Sequence, residues 1–197
     1  MGELPMRRNI TTFVLSVFSP FILTGLSSQT QAKTLPSACQ NTLAFSKQKY
    51  FGIAKAPVSD YLLVDKSRRL LHLFQDGQII KSYQVGLGNN PVGAKQAAGD
   101  GKTPEGSYFI DSRNAASNFH LALHISYPDQ DDINNARKKG LEPGGAIMIH
   151  GLPNEGWKKI FIRQPSDWTK GCVAVKDREI EEIWDMVKPG TPIDLCP

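Results

Sequence analysis

Residues 69–85 read RLLHLFQDGQIIKSYQV and carry the strongest local pattern in the chain. Two runs rich in strand-forming residues, 69–75 and 78–85, flank the pair Asp76-Gly77. An Asp-Gly pair between two such runs is typical of a two-residue hairpin turn, because both positions accept a left-handed backbone. The sequence therefore predicts an antiparallel β-hairpin at this point.

Similar short runs recur on both sides of the hairpin, whereas helical patterns are few. Helices are predicted at 131–139, closed by Gly140, and from Asp177, which is placed to cap an apolar stripe. The glycine-rich stretch 86–106 predicts a long surface loop. Many short strands with few helices predict a mainly β sandwich or barrel with two or three short covering helices. The further strands are expected at 61–65, 106–111, 121–127, 146–149, 173–175 and 192–195.

The composition of the 197-residue chain is that of an ordinary globular protein, with 40% hydrophobic and 21% charged residues. A chain of this length most often forms one domain. Its net charge of +4 is spread without a block of consecutive Lys or Arg in the body of the chain, so no nucleic-acid partner is expected. Three cysteines are too few for a disulfide scaffold, and the odd count leaves at least one unpaired within the chain.

The first 32 residues have the pattern of a secretory signal peptide. Arg7 and Arg8 precede an apolar run at 10–26, and small and polar residues follow up to Ala32. This run is short for a membrane-spanning helix, which needs about 20 apolar residues. An uncleaved anchor is therefore the less favoured alternative to a signal peptide at 1–32.

The rest of the chain divides into a short lead-in segment and one domain. Residues 33–58 are polar and lack periodicity, whereas the strand and helix patterns fill residues 59–197. Because a signal peptide directs export, we expect the protein to cross the inner membrane and to work in the periplasm, where disulfides persist.

Cys39 and Cys196 lie near the two ends of the chain that the signal peptide would export. In an oxidising compartment they can form a disulfide that ties the lead-in segment to the last strand. The alternatives are two free thiols or a bridge between two chains, and the sequence leaves the oligomeric state open.

Cys172 is the candidate nucleophile. It follows Lys170 and Gly171 where a loop meets a short strand, and a nearby ammonium favours the reactive thiolate. His150 ends an apolar strand and is followed by Gly151, so its ring can emerge at a strand tip and take the thiol proton. The alternative is a buried core cysteine and a buried, satisfied histidine.

Four segments in order resemble the L,D-transpeptidase catalytic (YkuD) domain family. They are GDGKTPEGSY at 99–108, IMIHG at 147–151, TKGC at 169–172 and GTPI at 190–193. This version of the motifs is similar to a sub-branch of the family sometimes called YafK-like. The resemblance covers nearly all of the chain after the predicted signal peptide, and it implies a mainly β, sandwich- or barrel-like catalytic fold.

The resemblance implies a cysteine acyltransferase that acts on peptidoglycan stem peptides. Cys172 would attack the carbonyl of the third stem residue and release the terminal D-alanine, with His150 as base and then acid. Amides at Gly171 and Cys172 would hold the oxyanion, while Thr169 and Lys170 would orient and tune the site. No metal and no other cofactor is implied.

The acceptor of the acyl group decides between two reactions. Transfer to an amine cross-links or remodels the cell wall, whereas transfer to water makes the enzyme a hydrolase. Hydrolysis of the link between peptidoglycan and an attached lipoprotein is known in the YafK-like branch, so a lipoprotein partner and hydrolysis of stem-peptide amides stay open as the alternative.

The chain departs from the family pattern around the cysteine. Many members have a second histidine where Lys170 stands, and many have Arg or Asn shortly after the cysteine. Such an arginine would bind a substrate carboxylate through two hydrogen bonds. The candidates to take over substrate binding are Arg113, Asn114, Gly151 and Arg163.

Two other classes of protein are weighed against this interpretation. His120 and His124 have the spacing of a helical zinc pair, but the alternating Leu121 and Leu123 predict a strand, and no His-Glu-x-x-His motif is present. A non-catalytic wall-binding module is the second alternative, but it gives no reason for Cys172 and His150 to occur together. The loop that ends at Trp168 is expected to form a cleft wall or lid.

Overall fold

The computed structural model describes residues 1–2, 36–41, 58–155 and 166–197. The chain separates into two units, residues 1–32 and 33–197, and the fold described below belongs to the second. The predicted signal peptide beyond its first two residues, most of the lead-in segment and Arg163 lie outside the described residues, so those expectations remain predictions.

The described residues form one eight-stranded sheet with two α-helices and a short 3₁₀ helix, which confirms the mainly β fold class. Within these residues no helix is long and apolar enough to cross a membrane. The elements in chain order are the 3₁₀ helix Ser37–Asn41, β1 (Tyr61–Asp65), β2 (Leu70–Gln75), β3 (Gln78–Gln84), β4 (Gly106–Ser117), β5 (His120–Ile125), α1 (Gln130–Lys138), β6 (Met148–His150), β7 (Val173–Ala174), α2 (Asp177–Met186) and β8 (Pro192–Cys196).

The strands are ordered β3-β2-β1-β8-β4-β5-β6-β7. Adjacent strands are antiparallel except β1 with β8 and β6 with β7, which are parallel. The long strand β4 joins two halves of the sheet, because its first residues pair with β8 and its later residues pair with β5. Buried apolar side chains from both halves and from α2 belong to one contiguous core.

The hairpin predicted from residues 69–85 is confirmed. Asp76 and Gly77 have φ angles of 51° and 73°, the left-handed conformation that a type I′ turn requires at both positions. Strand β2 is buried on both faces, because Leu71 and Leu73 enter the main core while Phe74 enters a second, smaller cluster.

A disulfide joins Cys39 to Cys196, with 5.1 Å between their Cα atoms. Cys196 ends β8 and packs with Leu63 and Phe74 in the smaller cluster, so the disulfide fixes the 3₁₀ helix against the β1–β2 side of the sheet. Cys172 is left as the free thiol.

Two sequence-based expectations about the elements are wrong. Strand β4 continues to Ser117, six residues beyond the predicted end at Asp111, because its polar second half hydrogen-bonds to β5. Asp177 is the first residue of α2 and not its cap; Lys176 takes the N-cap position. The Asp177 carboxylate accepts instead a hydrogen bond from the amide of Leu152 at 2.8 Å, and this contact ties α2 to the segment after β6.

Candidate active site

The parallel pair β6–β7 places the histidine and the cysteine on one face of the sheet. Ile149 pairs with Val173 and His150 with Ala174. The side chains of Ile149 and Val173 are fully buried in the core. Since side chains alternate along a strand, His150 and Cys172 both lie on the opposite face. Cys172 directly precedes β7, so the two side chains lie on the same face at this edge of the sheet.

The ring of His150 is held in one tautomer. Its Nδ1 lies 2.7 Å from the carbonyl oxygen of Gly151, and because a carbonyl can only accept, Nδ1 carries the hydrogen. The neutral ring therefore leaves Nε2 as an acceptor. Phe119 and Trp168 flank the ring, with centroids 4.6 Å and 5.7 Å away. Burial lowers the pKa of His150 and outweighs the opposite effect of the Gly151 carbonyl, so the ring is neutral at neutral pH.

The thiol of Cys172 rests against the backbone of the segment before β6. Its Sγ donates a weak hydrogen bond to the carbonyl of Ala146 at 3.5 Å. Burial raises the pKa of Cys172 above its ordinary value; a hydrogen bond from the Met148 amide and the positive charge of Lys95 lower it, but by less in total. The resting sulfur is therefore a neutral thiol that needs a base to react.

The turn before Cys172 is shaped by Thr169 and Gly171. The Thr169 hydroxyl donates to the Cys172 carbonyl at 2.8 Å and accepts from the Gly171 amide at 3.0 Å. Gly171 has a φ of +132°, and a Cβ there would stand 2.6 Å from the carbonyl oxygen of Lys102. Thr169 thus shapes the turn before Cys172, and the Gly171 amide donates to its hydroxyl.

The positive charge that lowers the pKa of Cys172 is that of Lys95, not that of Lys170. Lys170 is exposed, whereas the Lys95 side chain is only 3% exposed and pairs with Asp100 at 2.8 Å. Sequence reasoning missed Lys95 because it lies far from Cys172 along the chain, in the loop expected to be superficial. The available signal was a single lysine inside the small-residue stretch VGAKQAAG at 92–99.

The described residues proposed to bind substrate, Gly151, Arg113 and Asn114, lie in different parts of the sheet. Gly151 holds His150 through its carbonyl and packs tightly against α2, where an added Cβ would stand 2.9 Å from the Asp177 carboxylate. Arg113 pairs with Leu123 on the core-facing side of the sheet and stacks on Trp184, 3.7 Å from its ring centre.

The structure therefore does not bring Arg113 to the thiol, and we do not retain it as a substrate-binding residue. Its guanidinium donates to the Trp184 carbonyl at 2.9 Å, so it anchors the end of α2. Asn114 lies in the same cross-strand row as His150, two strands away, and its side chain accepts from the Ala116 amide at 2.9 Å.

The two histidines of β5 each have a separate carboxylate partner. His120 lies 2.8 Å from Glu181, and His124 lies 2.7 Å from Asp111. No group of three or more His, Cys, Asp or Glu side chains placed to hold a metal occurs in the described part of the chain.

Comparison with known proteins gives the class of this fold and site. The model of the YkuD family, described as the L,D-transpeptidase catalytic domain, matches residues 59–195. The chain belongs to this family. It is 28% identical over 176 residues to the protein named "Putative L,D-transpeptidase YafK" of Escherichia coli (strain K12), which covers 83% of this chain and 63% of that relative. The chain therefore spans less than two thirds of this relative's length.

Solved structures show the same fold. The crystal structure of the helical cell shape determining protein Pgp2 from Campylobacter jejuni superimposes with a TM-score of 0.51 and 24% identity, over 73% of this chain and 51% of that one. A structure of a variant of the same protein gives a TM-score of 0.55 and 23% identity, over 71% of this chain and 47% of that one.

Proposed function

We propose that this protein is a peptidoglycan L,D-transpeptidase that uses Cys172 as nucleophile and His150 as general base. The observation that carries the proposal is the hydrogen bond from His150 Nδ1 to the Gly151 carbonyl. It leaves Nε2 unprotonated on the face that also presents the thiol. Membership of the L,D-transpeptidase family supports stem peptides as the substrate class.

The neutral thiol and neutral imidazole define how the first step would run. As Sγ attacks the carbonyl of the third stem residue, the thiol proton moves to His150 Nε2 and a carbon–sulfur bond forms. The resulting oxyanion can accept from the Cys172 amide, which has no hydrogen-bond partner among the described residues. Collapse breaks the carbon–nitrogen bond, and the imidazolium returns its proton to the leaving amine of D-alanine.

The second step would regenerate the enzyme. An acceptor amine gives a proton to His150 and attacks the thioester, and the new amide forms as the thiolate leaves. The thiolate then recovers the proton from the imidazolium. Water in place of the amine gives hydrolysis through the same thioester, so the acceptor alone separates transpeptidase from hydrolase.

The aromatic residues around His150 support this assignment. Phe119 and Trp168 shield the ring on its flanks, and the buried indole Nε1 of Trp168 has no hydrogen-bond partner within the described part of the chain. A shielded ring stays neutral and excludes water from the proton-transfer path. We further propose a periplasmic location, supported by the signal-peptide pattern, the Cys39–Cys196 disulfide and the cell-wall relatives.

The test is incubation of the chain without residues 1–32 with purified tetrapeptide muropeptides and, separately, with lipoprotein-linked muropeptides, followed by mass spectrometry. We expect cross-linked dimers and free D-alanine. Freed tripeptide or released lipoprotein without dimers would replace the transpeptidase proposal by the hydrolase, and unchanged substrates would overturn both.

Matched variants assign the chemistry. Cys172→Ala and His150→Gln should each reduce product by about 1,000-fold or more, since nucleophile and base act as one unit. His124→Gln is the control, because His124 lies on the same side of the neighbouring strand β5 but pairs with Asp111. Product loss in the His124 variant equal to that in the His150 variant would contradict the assigned roles.

A further inference from the structure

We propose that Asp167, held by Arg69, is a positioning residue for the catalytic pair. Through the segment 167–169 it supports both the ring of His150 and the turn that carries Cys172. The inference rests on the proposed function in taking these two residues as the reacting pair, and it requires no particular acceptor.

The Asp167 carboxylate is fixed by a side chain and by a backbone amide. Arg69 donates to it from Nε at 3.1 Å and from Nη2 at 2.8 Å. The Leu87 amide donates to the same carboxylate at 3.0 Å. A guanidinium that meets a carboxylate with two of its nitrogens fixes their mutual orientation, which a lysine ammonium does not do. The carboxylate therefore has a defined position relative to the backbone at Leu87.

Arg69 is itself anchored in the turn between β1 and β2. Its backbone carbonyl accepts from the Val85 amide at 2.9 Å, and its Nη1 donates to the Lys66 carbonyl. Its φ angle is 57°, a left-handed conformation that is uncommon for residues other than glycine. The guanidinium thus has a fixed backbone acceptor at Nη1 in addition to the Asp167 carboxylate.

The segment 86–89, which follows β3, pairs with the chain just before Cys172. The Thr169 amide donates to the Leu87 carbonyl at 3.1 Å, and the Thr169 carbonyl accepts from the Asn89 amide at 2.9 Å. The Thr169 hydroxyl in turn donates to the Cys172 carbonyl. A continuous series of hydrogen bonds therefore joins the Asp167 carboxylate to the backbone of the nucleophile.

The same segment also pairs with the chain after the cysteine. Gly86 and Ala174 exchange two hydrogen bonds of 2.8 Å, which places Gly86 against β7. The segment 86–89 thus holds the chain on both sides of Cys172, and its Leu87 amide binds Asp167.

Trp168 connects Asp167 to the histidine. Its indole centroid lies 5.7 Å from the ring of His150 and 5.9 Å from that of Phe119. The residue on each side of Trp168 is fixed, Asp167 through its carboxylate and Thr169 through its backbone. One segment of three residues therefore supports both members of the catalytic pair.

The contribution of this ion pair to stability is expected to be small. The side chains of Arg69 and Asp167 are 30% and 22% exposed, so solvent screens their attraction. Its geometry matters more, because displacement of a reacting group by about 1 Å can lower a rate by about 100-fold. Loss of the pair should therefore change the site more than the melting temperature.

The first measurement is the NMR signal of the His150 ring in the oxidised protein, assigned by its loss in His150→Gln. Ring currents of Phe119 and Trp168 displace this signal from its position in an unstructured peptide. Asp167→Asn keeps an oxygen for the Leu87 amide and removes the charge that Arg69 binds. We expect the His150 signal to move toward the peptide position, because Trp168 is then less well fixed.

The second measurement is turnover of tetrapeptide muropeptides. Asp167→Asn and Arg69→Gln should each lower kcat by about tenfold or more and change KM by less than about twofold. Because both remove the same interaction, the double variant should lose no more than either single variant. Lys81→Gln is the matched control: it breaks the 3.0 Å ion pair with Glu182 between β3 and α2 and should leave kcat and the His150 signal unchanged.

Two results would overturn the inference. One is a folded Asp167→Asn protein with the wild-type kcat and the wild-type His150 signal, whatever its melting temperature. The other is a double variant whose losses are the sum of those of the single variants. If Asp167→Asn does not fold, Arg69→Gln decides, since it leaves the Leu87 amide bonded to Asp167.

The NMR measurement separates this inference from the proposed function. If the wild-type protein leaves muropeptides unchanged, the proposed function fails and the His150 signal decides alone: movement in both variants retains the inference, and no movement rejects it. A protein that cross-links muropeptides while both variants keep the wild-type kcat and signal would retain the proposed function and reject the inference.

Discussion

The two ends of the sheet are built in different ways. The β1–β3 end has strands of five to seven residues, a hairpin and a disulfide that fixes Cys196. The β6–β7 end has strands of three and two residues, and Cys172 there is free. The first end is stabilised by its own strand pairing, whereas the second depends on loops and α2 packed around it. The end that carries the proposed chemistry is thus the one with the least regular structure.

The β1–β3 end therefore contributes mainly to stability, and the β6–β7 end mainly to reactivity. Strand pairing in the β1–β3 end satisfies its backbone groups. In the β6–β7 end the carbonyls of Gly151 and Ala146 contact the imidazole and the thiol directly. Substitutions in the two ends should therefore act on different measurements.

Removal of the disulfide should give the largest effect, confined to stability. Cys39→Ser with Cys196→Ser opens a link between residues 157 positions apart. Loss of a constraint of that length should lower the free energy of unfolding by about 4 kcal/mol, measured by urea denaturation. Alkylation of Cys172 in the folded variant should keep its rate. A folded variant with a changed alkylation rate would show that the two ends are coupled.

Two glycines with positive φ provide the next comparison. Gly171→Ala places a Cβ 2.6 Å from the Lys102 carbonyl, whereas Gly77→Ala meets nothing within 4 Å. A displaced Cys172 should reduce turnover by about 100-fold, measured with muropeptides. Gly77→Ala should cost about 1 kcal/mol of stability through its left-handed backbone and leave turnover unchanged. Equal turnover in the two variants would contradict a rigid nucleophile loop.

Acid sensitivity is the smallest expected effect, and both ends should share it. Burial lowers the pKa of His72 in β2 and of His150 in β6. The unfolded chain has the ordinary histidine pKa of about 6.5, so below that pH it binds more protons than the folded protein and stability falls as pH falls. His72→Gln and His150→Gln should each flatten the decline in melting temperature from pH 7 to pH 5. An unchanged slope in both variants would reject this origin.

The same division explains how far the sequence predicts the molecule. Asp76-Gly77 could be assigned to a hairpin because its conformation depends on neighbouring residues alone. The second half of β4 could not, since its polar residues carry no alternating pattern and become a strand through pairing with β5. Asp177 has the residue type of a cap, but the distant Leu152 amide takes its carboxylate. Tertiary contacts override local preference in these places.

The candidate site shows the same limit. Cys172 and His150 can be proposed from short motifs because His150 ends one apolar strand and Cys172 directly precedes another. The effect of Lys95 on the pKa of Cys172 could not be predicted from the sequence. The glycine-rich loop that carries Lys95 lies against Gly171 only in the folded chain. Arg113 was selected for its charge, but its strand register turns it toward the core and Trp184.

The position of β8 has a consequence for the order of folding. This strand is the last along the chain, yet it lies between β1 and β4, parallel to one and antiparallel to the other. The two ends of the sheet can therefore join only after residues 192–196 have emerged from the ribosome. Contacts this distant in sequence form slowly, so we expect the two halves of the sheet to join in a late step of folding.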